Sequence, residues 1–385
     1  MIRKRGARRS AILLTLLLVL VGWSRLTPRA WADALYSVTD LGTLGGSYSE
    51  ADGINHAGKV AGWADLSSGD SHAFLWDGIS GHALQDLGTL SGSSSMAHGI
   101  NTSGKVVGRS DLSSGESHAF LSDGIPGHAL QDLGTLGGSW SEAWSINDTG
   151  EVVGEAYLSE DSSSHAFFWD GVTGHALQDL GTLGGDYSVA FSINGSGEAV
   201  GRGDLSGGGY HAFFWDGVSG HALQNLGTLG GDNSVAFGIN DDGQVVGSSN
   251  LVSAQTHAFL WDGVSGHALQ DLGTLGGSYS EAWAINAAGQ VVGWGYPSGD
   301  LGLHAFFWDG QMKDLNDLIP ANSGWTLEVP YGLNDVGQIV GIGDIGGTAH
   351  AFLLSPEGEI PEPSTLLLLA CGGLVGVVMR RRRRS

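Results

Sequence analysis

Residues 211–217 read HAFFWDG; the same seven letters stand at 165–171 and 304–310, and close variants begin at 72, 118, 257 and 350. Read as a strand, the phrase puts Ala212 and Phe214 on one face and Phe213 and Trp215 on the other. Both faces are apolar. A sheet with one wet side alternates apolar with polar, so this strand belongs to a sheet covered on both sides. The histidines that open the phrase are His72, His118, His165, His211, His257, His304 and His350, at intervals of 46, 47, 46, 46, 47 and 46. Asn55, Asn101, Asn147, Asn194, Asn240, Asn286 and Asn334 keep the same beat. A period of this length belongs to propellers and solenoids.

Within one period HALQDLGTL, SEAWSIN, GEVVGEA and HAFFWDG are four short apolar stretches separated by turn signals. Four strands per unit is a propeller blade. The expected fold is all-β, a seven-bladed β-propeller of four-stranded blades, with a β-solenoid as the alternative. The 66 glycines against 8 prolines fit many tight turns rather than a proline-rich linker. Burying one phenylalanine contributes about 1.5–3 kcal/mol. The seven HAF phenylalanines together therefore rival the whole net stability of a domain, about 5–15 kcal/mol, and need no binding role. If a blade starts with the HAF strand, the last HAF strand completes a blade begun at the N-terminus, and the two ends lie side by side.

The charge is unevenly spread. Of 17 Lys and Arg, seven precede residue 30 and five form the run Arg380–Arg384; between Asp33 and Pro356 stand 37 acids against five bases, a local net near −32. Such a surface repels phosphate backbones and excludes nucleic acid as a partner. Residues 1–32 read as a signal peptide, with a basic start, an apolar run from Ala11 to Val21, and Ala30-Trp31-Ala32 as the cleavage site for signal peptidase. Arg8-Arg9 leaves twin-arginine export as the alternative to the general route. The single cysteine, Cys371, lies in the tail, so the exported body folds without disulfides.

Residues 357–385 form a second address. From Thr365 to Met379 there are 15 uncharged residues, a helix of about 22 Å at 1.5 Å per residue, short for a transmembrane anchor against a hydrocarbon core of about 30 Å. The arginines behind it stay cytoplasmic, which holds the rest of the chain outside. Pro361-Glu362-Pro363, the apolar stretch and Arg380, Arg381, Arg382, Arg383 and Arg384 resemble the PEP-CTERM sorting signal. That resemblance implies an exosortase-type processing enzyme, transient residence in the inner membrane, loss of the tail, and delivery to the surface or extracellular matrix of a Gram-negative bacterium. The pattern DLGTLGG, IN-x-x-G-x-VVG and HAF, over nearly all of 36–355 within the body 33–356, resembles the bacterial extracellular HAF-repeat family, which implies an exported repeat protein rather than an activity. The last repeat departs from it with DLNDLIPANSGWTLEVPYGLN.

Length changes concentrate in the loop before HAF, as in WADLSSGDS, EAYLSEDSSS and WGYPSGDLGL, and variable loops on a rigid scaffold are the usual home of recognition. The turn after DLGTL falls on the same side and carries Tyr48, Trp140, Tyr187 and Tyr279, with Trp325 near-equivalent. These five are the candidate ligand-binding residues, suited to a sugar or a surface protein. The HAF histidines, and His82, His128, His175, His221 and His267 of the GHAL turns, read as hydrogen-bonded structural groups, since equivalent strand positions do not converge as a metal site requires. No metal or other cofactor is expected. Calcium is the alternative reading of turns such as INDDG, although the twelve-residue ligand pattern ending in glutamate is absent. Glu50, Glu142 and Glu281 recur at one position with no distinct acid or base beside them, and no catalytic residue stands out. The expected function is non-enzymatic binding of a polysaccharide or protein partner through one propeller face. The alternatives are a self-associating coat or adhesion module and an enzyme acting on extracellular polysaccharide.

Overall fold

The computed structural model describes residues 35–159, 161–299 and 301–357. The expected signal peptide with Ala30 and Ala32, and the sorting tail with Pro361, Glu362, Pro363 and Arg380–Arg384, lie outside the described residues. Within them the chain is all-β: the only helix is the 3-10 turn Leu315–Asp317, and no helix is long and apolar enough to cross a membrane.

Each repeat folds as an antiparallel meander. In the first, Gly45–Ile54 pairs with Val60–Leu66, which pairs with Ser71–Trp76, which pairs with the short Gln85–Asp86. The meanders make three sheets of four strands and two of eight. In each eight-stranded sheet a single parallel pair, Trp140 with Ser117 or Thr256 with Tyr279, joins two meanders. Each sheet therefore begins with the asparagine strand, which settles the phase that the sequence left open, against the HAF-first order. The N-terminal strand Leu35–Asp40 supplies the outermost place in the last sheet, where Tyr36 faces Pro356 and Asp40 faces Phe352 beside Ile339–Ile345 and Trp325–Leu333. The ends of the body do lie side by side.

The double-sided HAF strand is observed. All seven HAF phenylalanines are fully buried. Phe213 packs with Val153, Ala166 and Ala199, while Ala212 on the opposite face joins Phe259, Trp261 and Val245. Each sheet is thus pressed between its two neighbours. The same holds across the ends of the chain, where Val340, Ala351 and Leu353 of the last repeat share a cluster with Ala51, Val60 and Phe74 of the first.

Two polar motifs tie neighbours together. In six of the seven inner strands a buried serine accepts from the HAF alanine of the preceding repeat, as in Ala166 N to Ser188 Oγ at 2.8 Å, and Ser188 donates to a turn carbonyl, Gly181 at 2.5 Å. Inside the ring, the side chain of each asparagine donates to the carbonyl of the next: Asn55 to Asn101, then Asn147, Asn194, Asn240, Asn286 and Asn334, and Asn334 back to Asn55 at 3.1 Å. This ladder closes on itself, which an open solenoid cannot do. The same asparagines hold their own hairpin turns, Asn240 Oδ1 accepting from Gln244 N.

The HAF and GHAL histidines are hydrogen-bonded within their own repeats or across the closure. His72, His118, His165 and His257 hydrogen-bond through Nδ1 to the aspartate of the following DLG strand, His211 to Asn225, His304 to Asp314, and His350 across the closure to Asp40. The GHAL histidines pair with the aspartate of the preceding turn, as His82 does with Asp77 at 2.7 Å.

Candidate functional site in the axial cavity

The inner strands alternate. Residues four and six places before the asparagines, such as Ala143 and Ser141, are buried between sheets, except Glu328 in the last repeat. Residues three places before each asparagine, together with Glu50, Met96 and Glu142 five places before theirs and with Trp63 and Arg109, line a cavity of about 440 Å³ on the axis of the asparagine ladder. The three-before positions are Asp52, His98, Trp144, Phe191, Phe237, Trp283 and Tyr331. They also line a narrower cavity of about 210 Å³, which shares the isoleucines before the asparagines with a third, about 290 Å³, at the asparagine turns. The three cavities follow one another along the axis, each sharing wall residues with the next.

The wall of the first cavity is divided. Along one arc the aromatic rings follow one another: Trp144 to Phe191 at 5.5 Å between centroids, Phe191 to Phe237 at 5.3 Å, Phe237 to Trp283 stacked at 4.4 Å, and Trp283 to Tyr331 edge-on at 5.0 Å. The other arc is charged. His98 stacks on Trp144 at 4.4 Å. Its Nδ1 lies 2.7 Å from Asp52 Oδ2 and its Nε2 lies 3.0 Å from Glu142 Oε1, with Arg109 Nε also 3.0 Å from that oxygen. A ring with a carboxylate at each nitrogen donates from both, so His98 is an imidazolium.

The titration of these groups follows from their surroundings. Burial alone would push His98 down, but the hydrogen bonds and charges of Asp52 and Glu142 outweigh it and carry the imidazole up to about 10. Burial would raise Glu142; the His98 bond and charge, with Arg109 behind them, hold it below the usual carboxylate range. Glu50 has no cation in contact. Burial and the charge of Asp52 push it up to about 7, against hydrogen bonds from Tyr48 and Tyr331. Burial likewise raises Asp52, whose Oδ1 has no hydrogen-bond partner among the described residues, as is also true of Trp144 Nε1.

The five aromatics singled out in the sequence stand nearer the mouth of this cavity, beside the variable loops. Tyr187 is half exposed and its hydroxyl donates to Ser162 O of the preceding repeat's loop. Trp140 leans on Tyr157 at 5.2 Å, and Trp325 meets Phe352 edge-on at 6.2 Å. Tyr48 and Tyr279 are committed differently: they stack on Trp63 and Trp294 and donate their hydroxyls to Glu50 and Glu281. The shared side of variable loop and DLGTL turn is seen directly where Ser139 N and Oγ bind Asp161.

The expectation that nothing pairs with the recurrent glutamates is corrected here. Glu142 has His98 and Arg109, and Glu50 has two tyrosines. The missed signal is a column. With the repeats aligned, the buried places barely change, whereas the three-before place reads Asp, His, Trp, Phe, Phe, Trp, Tyr. Among the described residues no group of three or more His, Cys, Asp and Glu is arranged to hold a metal ion.

Residues 359–384 match the PEP-CTERM protein-sorting motif. The motif marks an exported protein processed at the membrane by an exosortase. No curated protein matches the chain. Among solved structures it is similar to a Mycobacterium tuberculosis puromycin-hydrolyzing peptidase, with TM-score 0.50 and 12% identity, covering 85% of this chain and 54% of that one. It is also similar to TolB from Acinetobacter baumannii, TM-score 0.41 and 11% identity over 61% and 56% of the two chains. The BP39L lectin from Burkholderia pseudomallei gives TM-score 0.46 and 7% identity over 84% and 96%. The chain spans little more than half the length of the TolB and peptidase chains it resembles. At these identities the likeness is one of fold, and the fold is propeller-like.

Proposed function

We propose that residues 33–356 form a seven-bladed β-propeller, carried to the cell surface or extracellular matrix, which binds a polysaccharide through the mouth that leads into the axial cavity and does not turn it over. The divided wall of that cavity carries the reading. A sugar ring has C–H faces that suit the Trp144–Tyr331 arc and hydroxyl edges that suit the Asp52–His98–Glu142 chain. Its volume of about 440 Å³ lies within the range usual for small-ligand sites, about 300–1,000 Å³. Acidity of the body favours a neutral or cationic polymer over one of uronic acids. Trp140 and Tyr187 at the mouth extend the contact outward. The blade count rests on the seven-step asparagine ladder.

The test is titration of the purified protein with oligosaccharides released from the exopolysaccharide of the producing bacterium. Phe237→Ala with Trp283→Ala should abolish binding with the far-ultraviolet dichroism unchanged, and Trp140→Ala with Tyr187→Ala should weaken it. Undiminished binding in both would refute the reading. Assembly that rises with protein concentration and needs no glycan would favour the self-associating coat instead. One observation supports catalysis in the same cavity: a glutamate poised near neutrality, Glu50, across from a charged histidine. Polysaccharide cleavage that Glu50→Gln abolishes while binding persists would establish it.

A further inference from the structure

The two mouths of the ring differ, and the chain leaves from one of them. In the first five repeats the turn after the HAF strand carries a branched aliphatic residue about half exposed: Ile79, Ile125, Val172, Val218 and Val264, at 46–52%. These turns stand beside the asparagine turns. Gly78 packs on Gly58 O, and Gly171, Gly217 and Gly263 pack in the same way on Gly150, Gly197 and Gly243. The aliphatic residues therefore form a row around the asparagine mouth, opposite the variable loops and the rim aromatics. The remaining two repeats have Gln311 and Glu357 at the equivalent position. Glu357 pairs with Leu35 and is the last described residue, while Ser355 just before it meets the asparagine-turn side chain of Gln338. The sorting tail thus departs from one place in the row that the five aliphatics occupy.

We propose that the asparagine face is a membrane-docking surface, resting on the lipid while the tail is intact. The length of the tether argues for it. Between Glu357 and Thr365, where the uncharged stretch begins, lie seven residues, able to span at most about 25 Å fully extended. A tail that enters the bilayer so close to Glu357 holds this face, and not the opposite one, against the surface. Five half-exposed aliphatics in one plane are the chemistry that a lipid interface accepts. Asp77, Asp123, Asp170, Asp216 and Asp262 are each hydrogen-bonded to a histidine, and beside the neighbouring asparagine turns stand Lys59 and Lys105, then Glu151 and Glu198 in the next two repeats. Exposed apolar side chains on the other face, Val252 and Leu301, belong to unlike loops and do not recur. The orientation leaves the aromatic mouth facing away from the membrane.

Hydrogen exchange tests this on the full chain with its tail, reconstituted in phosphatidylethanolamine–phosphatidylglycerol nanodiscs and compared with detergent micelles. Peptides over 77–82, 123–128, 170–175, 216–221 and 262–267 should exchange severalfold more slowly in the discs. Peptides over the variable loops at 66–70 and 250–255 should not change. Replacing the five exposed aliphatics by serine should remove the protection while leaving exchange in the HAF strands as it was. Protection on the variable-loop face, equal protection on both faces, or protection that survives the serine substitutions overturns the proposal. Protection that grows with the number of protein copies per disc overturns it in favour of a second copy on this face. The comparison of the two faces in the unmodified chain stands even if the substituted chain fails to fold.

Discussion

His98→Phe is the sharpest probe of the charged arc. Phenylalanine keeps a flat ring against Trp144 and removes both donors. Asp52 is then left with neither oxygen bonded, because Oδ1 already has no partner and Oδ2 loses its 2.7 Å bond. Glu142 keeps Arg109, so most of the loss falls on Asp52. Removing one partner of a buried ion pair costs about 3–5 kcal/mol. The expected loss is about 3 kcal/mol, the low end of that range, because the Asp52 and Glu142 side chains retain 13% and 10% exposure. Its pH dependence has a fixed direction. His98 is raised by folding, so its contribution is complete below the unfolded value of about 6.5 and is lost as pH rises through about 10. Glu142 is lowered, so its share is present above the ordinary carboxylate range and is lost as pH falls through its depressed value. Urea unfolding followed by tryptophan fluorescence should therefore show the widest gap between parent and variant near neutrality, closing in strong base and in acid. Adding Asp52→Asn to His98→Phe removes the stranded charge and should recover more than half of the loss. A neutral-pH gap below about 1 kcal/mol, the size of an ordinary exposed pair, or a gap unchanged above pH 10 or so, would refute the imidazolium assignment.

Further outcomes follow from single contacts. Glu50 is raised to about 7 with no cation in contact, so its ionised form is the one the fold disfavours, and stability attached to it is complete below the unfolded value of about 4.3 and is lost as pH rises through about 7; Glu50→Gln should raise the melting temperature most above neutrality and leave it nearly unchanged only below the unfolded carboxylate range. Gly154→Ala would place a methyl group 2.0 Å from Glu142 O and 2.8 Å from the Phe167 ring, and calorimetry should show a loss at or beyond the usual overpacking range of about 1–3 kcal/mol. Ser188→Ala strands the buried Ala166 N–H and Gly181 carbonyl and should cost about 1–3 kcal/mol in denaturant unfolding.

What could be read from the sequence was whatever every repeat experiences alike. Phe213 and Ala212 meet the same neighbours as their counterparts in other repeats, so the double-sided strand, the four-strand unit and the meeting of the ends were all legible. The starting strand of a blade was not, since a cyclic pattern has no internal mark for where a sheet begins; the outer strand, as short as Gln85–Asp86, gives a weak signal. The axial ring was hidden for a different reason. Asp52, His98 and Trp144 touch residues one period away, and a reading that seeks what recurs treats such departures as noise. His98 and His56 are the histidines that stand at neither the HAF nor the GHAL position, and the structure gives His98 two carboxylates.

The departures also gather where the ring is joined. Every sheet but the last is built from consecutive strands, whereas the last takes its outer strand, Leu35–Asp40, from the opposite end of the chain. That junction is held by the strand ladder, by His350 on Asp40, by Ala351 N on Ser49 Oγ, and by Asn334 on Asn55, each a contact across some 280 residues or more. Contacts so distant in sequence form late, since the closure entropy of the intervening chain must be met first. At the neighbouring interface the repeated serine is replaced by Glu328, and Asn316 clasps both the N–H and the carbonyl of Leu327 in its stead. The polar belt in the cavity lies over the same region: Tyr331 to Glu50 bridges the last repeat to the first, and Asp52, His98 and Glu142 link the first three. Aromatic contacts serve the repeats joined covalently in order. Directional hydrogen bonds, which specify a partner more strictly than apolar contact does, are added at the closure, where Tyr331 meets Glu50 and the ring must select its own first sheet rather than the edge of another molecule.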